Sequence, residues 1–109
     1  MYDKSQLMRG TLEGCILKIL SKSTSYGYEI VTTLLGYGFK DIKEGTIYPL
    51  LVRLEKKGII TSEMRPFYHW VQVGNIIPLH HDGVEYLNEF KTNWKQISQS
   101  VNQIFDTEV

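Results

Sequence analysis

Residues 44–58, EGTIYPLLVRLEKKG, decide the reading of this chain. Ile47, Leu50, Leu51 and Leu54 recur at spacings of three and four, which on a helix of 3.6 residues per turn collects them on one face. Thr46, Tyr48, Arg53 and Lys57 fall largely on the other faces, and Gly58 supplies a stop. Pro49 has no N–H and is cheap only in the first turn, so either the helix begins close to Gly45 or its opening turn is distorted. Either way, the start of this helix presents polar side chains on a rigid backbone.

Upstream, Met8, Leu12, Cys15, Ile16, Ile19 and Leu20 predict a helix over about Gln6 to Ser21. SKSTS, residues 21–25, interrupts it and offers Thr24 or Ser25 as N-cap for a second helix over Tyr26 to Leu35. Gly36 and Gly38 suit the left-handed conformation that ends helices, and FKDIKEG connects to the third helix. Downstream, IITSEMR, residues 59–65, alternates like a strand. VGNI, residues 73–76, places Gly-Asn between apolar flanks as a hairpin turn, and Pro78 weakens the strand that follows. Asp82 is placed to cap a final helix that runs to about Phe105.

That last helix carries Leu87, Phe90, Trp94, Ile97, Val101 and Ile104 at steps of 3, 4, 3, 4 and 3, a heptad seam. Packing within one chain is one reading. A seam against a second subunit is the one we favour, because a core of this size can hardly cover two large aromatics on a terminal helix; an isologous dimer is then expected.

The 109 residues suffice for one core and not for two. With 42% hydrophobic and 22% charged residues the composition is that of a globular domain. No apolar run approaches a membrane span and the first ten residues lack a signal-peptide core, so a cytoplasmic location is expected. Cys15 stands alone, excluding an internal disulfide, and reads as a small buried hydrophobe. No phosphate-binding glycine loop, nucleophile motif or metal-ligand set is present, so neither an enzyme nor a cofactor is expected; adjacent His80 and His81 do not make a metal site.

The net charge is zero, but it is not evenly spread. Between Lys40 and Lys57, Lys40, Lys43, Arg53, Lys56 and Lys57 outnumber Asp41, Glu44 and Glu55 by two. From Val84 onward Lys91 and Lys95 are outnumbered by Glu85, Glu89, Asp106 and Glu108, again by two. The chain is electrically polarised along its length.

Three helices, a hairpin and a long helix follow the order of a winged helix-turn-helix, mainly α with a small β-hairpin. RGTLEGCILKIL, SYGYEI, EGTIYPLLVRLEKKGII and FKTNWKQISQSVNQI together resemble the PadR family of bacterial transcriptional regulators over nearly the whole chain. That resemblance implies a winged helix-turn-helix over 1–81 and a dimerisation helix over 82–109. It also implies a homodimer on an inverted-repeat operator in double-stranded DNA, usually a repressor released by a small aromatic or drug-like effector. Carried over by residue, Lys43, Gly45, Thr46, Tyr48 and Arg53 lie in the matching recognition helix, and Tyr26 and Gly27 at the matching opening of the second. Physical chemistry allows these roles: hydroxyls and helix N-termini donate to phosphate, and Arg can also read guanine. Lys57 is a further DNA-binding candidate, with a solvated face the favoured reading for it and for Lys56, and Tyr26 and Tyr48 can equally be partly buried in the core. Trp94, with Phe90 and Leu12, matches an effector pocket in some relatives; a plain interface anchor is the alternative for Trp94. A winged helix that contacts only proteins is the competing function.

One stretch departs from the family. Residues 66–83, PFYHWVQVGNIIPLHHDG, hold no Lys or Arg and one acid, Asp82, where the family carries a wing resembling Gly-Pro-x-Arg-Lys-Tyr-Tyr-x-Leu-Thr. If the last base of each codon is joined to the first two of the next, the junctions from Phe67 to His81 permit LSLGPGRKYYSITS, the missing wing. A pair of compensating frameshifts, in the gene or in the recorded sequence, accounts for this; codons that exclude Arg, Lys and Tyr at those junctions rule it out. As protein, the segment offers fewer phosphate contacts and a shallower salt dependence of DNA binding.

Overall fold

The computed structural model describes residues 2–62, 76–77 and 81–107. Its elements are α1 (Lys4–Lys22), β1 (Ser25–Tyr26), α2 (Gly27–Gly36), α3 (Glu44–Lys56), β2 (Ile76–Ile77) and α4 (His81–Phe105). Among the described residues the architecture is mainly helical with one short two-stranded sheet, the winged-helix arrangement expected.

Each helix starts and stops for a local reason. Asp3 caps α1 by accepting from the Ser5 N–H at 3.1 Å and the Ser5 hydroxyl at 2.6 Å. Those bonds hold the Asp3 carboxyl below the usual carboxylate range. The N-cap of α2 is neither of the expected residues, Thr24 or Ser25, but the next one, Tyr26, whose N–H donates to Glu29 Oε1 at 2.7 Å. Ser25 is drawn instead into β1, which pairs antiparallel with β2 through Ser25↔Ile77 and Tyr26↔Ile76. A strand at this point is invisible to periodicity, because two residues cannot show a period.

Of the stop glycines, Gly38 and Gly58 adopt positive φ (106° and 74°), whereas Gly36 is simply the last residue of α2. α3 begins at Glu44, so Pro49 sits beyond the first turn and has no N–H to return to the Gly45 carbonyl. Asp82 lies in the first turn of α4 rather than ahead of it, where its charge still suits the helix dipole. Within the expected strand 59–65, Ile59 and Ile60 are buried; residues 63–65, the VGN of the hairpin turn, Pro78 and His80 lie outside the described residues.

The core gathers Leu12, Ile16, Leu17 and Leu20 of α1, Ile30 and Leu34 of α2, and Ile47, Leu50, Leu51 and Leu54 of α3, closed by Ile42, Ile59 and Ile60. Met8, Cys15 and Ile19, expected on the inner face of α1, are only partly buried, and Leu17 takes the deeper place. Tyr86 and Leu87 bring α4 onto this core. Gly14 makes the crossing of α1 and α4 possible: a Cβ there would stand 2.1 Å from the Phe90 ring. Beyond Phe90 the support ends, and from Lys91 to Phe105 every residue except Ser98 is exposed. Among the described residues no helix is long and apolar enough to cross a membrane.

Candidate nucleic-acid interface and grooves along the last helix

α2 and α3 pack against each other and turn the opening of α3 outward. Lys43, which caps α3, is exposed, as are Gly45 and Thr46 behind it. The Thr46 N–H donates back to the Lys43 carbonyl at 3.0 Å, so this first turn is held even though Lys43 supplies no side-chain cap. Tyr26 is half-buried and its ring stacks on that of Tyr28, centroids 5.8 Å apart and planes 12° from parallel.

Gly27 and Tyr48 do not both face outward. Gly27 is buried, and a Cβ on it would lie 2.7 Å from the Tyr48 hydroxyl oxygen. That oxygen is enclosed, with no hydrogen-bond partner among the described residues, which favours the core alternative for Tyr48. Burial, and secondarily the Glu44 carboxylate, push the phenol above its ordinary value.

Arg53 also differs from expectation. Its Nη1 donates to Oε1 of Glu13 on α1 at 2.9 Å, and the Glu13 side chain is only 8% exposed against 48% for Arg53. Through this one nitrogen Arg53 joins α3 to α1, while half of its side chain stays exposed. Sequence reasoning missed Glu13; the available signal was a carboxylate between Leu12 and Ile16 on the inner face of α1. Lys57 lies at the far end of α3, its ammonium 5.8 Å from the centre of the Tyr86 ring.

Along α4 the seam residues divide in two. Leu87 and Phe90 are partly covered by their own chain, whereas Trp94, Ile97, Val101 and Ile104 are exposed. Phe90 and Trp94 form a ridge between two grooves. One, of about 370 Å³, includes Leu7, Glu13, Tyr86 and Ile97. The other, of about 430 Å³, includes Cys15, Lys18, Phe39 and Lys91. Leu12, the third effector candidate, lines neither and is 2% exposed in the core. A larger groove of about 630 Å³, between α1 and α2, was not foreseen; Lys18, Lys22, Tyr37 and Phe39 are among its walls. Cys15 is partly enclosed beside it, and desolvation pushes its thiol up.

Comparison with known proteins agrees with this arrangement. The model of the family described as "Transcriptional regulator PadR-like family" matches residues 16–69, ending inside the charge-poor stretch. A crystal structure of a PadR-like transcriptional regulator from Bacillus cereus superposes with a TM-score of 0.80 at 38% identity, covering 95% of this chain and 100% of that one. A transcriptional regulator from Streptococcus superposes at 0.78 with 40% identity over 93% of this chain and 98% of its own. A PadR family regulator from Clostridium difficile does so at 0.71 with 30% identity, covering 86% and 97%. The chain belongs to the PadR-like family of transcriptional regulators.

Proposed function

We propose that the chain is a DNA-binding repressor that works as a homodimer in the cytoplasm, reading an inverted-repeat operator with α3 and pairing through α4. The observation that carries the DNA part is the orientation of α3. Its Ile47, Leu50, Leu51 and Leu54 face is consumed by the core, which leaves Lys43, Gly45 and Thr46 at the exposed helix start, where backbone N–H groups and cationic side chains suit phosphate and base edges. The observation that supports the dimer is the bare stripe Trp94, Ile97, Val101 and Ile104 on a helix whose second half has no cover from the described residues of its own chain. Folding would then divide labour between a reading unit over 1–81 and a pairing helix over 82–109.

Release by a small planar aromatic fits the two grooves beside Trp94, since an exposed indole paired with its symmetry mate can sandwich a flat ring. Fluorescence anisotropy on DNA from upstream of its own gene, at low salt, tests the reading. Binding is expected, with Thr46→Ala and Lys43→Ala each weakening it about 5- to 30-fold, the scale of one lost contact. Absence of binding by the folded wild type would transfer the winged helix to the protein-contact reading.

A further inference from the structure

The outermost line of α3 is apolar. Taking about 100° per residue, Gly45, Pro49, Val52 and Lys56 stand about half a turn from the core residues Ile47, Leu50, Leu51 and Leu54. All four are exposed, and Val52 at 48% is an aliphatic side chain turned to solvent in mid-helix. Until Lys56 this line offers no side-chain hydrogen-bond donor or acceptor. Thr46 and Arg53 lie to one side of it, and Arg53 is engaged by Glu13. A Cβ built on Gly45 would touch nothing within 4 Å, so the start of the line is open to close approach.

We infer that Pro49 and Val52 are specificity-determining residues that read thymine by its C5-methyl group in the major groove. Resting on the DNA-binding reading, this assigns the base that the middle of the helix prefers. Lys43, which caps the start of α3, and Lys56 in its last turn are both exposed, so a polyanion can be held at the two ends of the helix while the apolar centre meets the groove floor. Of the features a base pair displays there, only the thymine methyl rewards an aliphatic partner; every other feature is a donor or acceptor that Val52 and Pro49 would leave unpaired. Discrimination therefore runs through burial of a methyl group, with no bidentate hydrogen bond in mid-helix.

The test selects preferred sites from randomised duplexes and then replaces each thymine of the selected half-site with uracil, which lacks only the methyl. Wild-type affinity should fall about fourfold at one or two thymines, the effect of unburying one methyl-sized group. Val52→Ala should abolish that fall while still binding DNA, and Val52→Asn should select a different base there. If wild type selects a site but no thymine-to-uracil change alters affinity, the inference is overturned and the DNA reading stands. If no site is selected and the folded protein ignores DNA, the DNA reading itself has failed. Val52→Ala leaves the buried face intact, so a folding defect is not expected, and thermal unfolding of the variant checks this.

Discussion

Two tasks are open to Tyr48, phosphate contact and core packing, and the structure favours the second. A tyrosine in a recognition helix invites a phosphate, yet its oxygen is enclosed over Gly27 without a partner among the described residues. A buried hydroxyl without a hydrogen bond costs stability, so Tyr48→Phe should be neutral or stabilising by up to about 1 kcal/mol and should leave DNA affinity within about twofold. The pH dependence has a definite sign. The folded-state phenol lies above its unfolded value, so its contribution is fully present below about pH 10 and is lost as pH rises through the shifted value. Chemical denaturation of the two proteins from pH 8 to pH 11 should show wild type losing stability as the phenol ionises and the Phe variant, which has no phenol, escaping that loss. Equal losses in both would show that the phenol is not the group responsible.

Helices were legible from sequence wherever their apolar faces repeated over several turns. α3 and α4 were placed within a residue or so, because Ile47, Leu50, Leu51 and Leu54, and Leu87 through Ile104, repeat long enough to fix a period. The β1 pairing and the Glu29 cap were not, since each depends on residues distant in sequence or on a single side chain. The Arg53–Glu13 link escaped for the same reason: the two residues stand 40 apart, and nothing local marks them as partners. Between elements this ion pair has a measurable consequence. Arg53→Ala leaves a buried carboxylate uncompensated and should cost about 1–3 kcal/mol, less than a fully buried pair because Arg53 is half-exposed. Pairing it with Glu13→Gln should recover much of that loss, a coupling that urea denaturation of the four proteins in the double-mutant cycle measures. Additive losses would mean that the pair does not join α1 to α3.

For the whole molecule, the two ends of the chain call for different partners. The α3 end is locally basic and the α4 end locally acidic, and the apolar stripe of α4 faces outward over its second half. In the proposed dimer, two copies joined along that stripe would bury what one copy exposes, and the symmetry of the pair would present two α3 helices to one duplex. Sedimentation at micromolar concentration should find a dimer, and Ile97→Lys with Val101→Lys should dissociate it while the Leu12–Leu54 core stays folded; an unchanged dimer would place the interface elsewhere. The geometry of reading is most directly tested by footprinting the DNA upstream of the protein's own gene. Two protected patches about one helical turn apart and related by a dyad are expected. Protection of one patch alone, or none at low salt, would contradict a paired pair of reading helices.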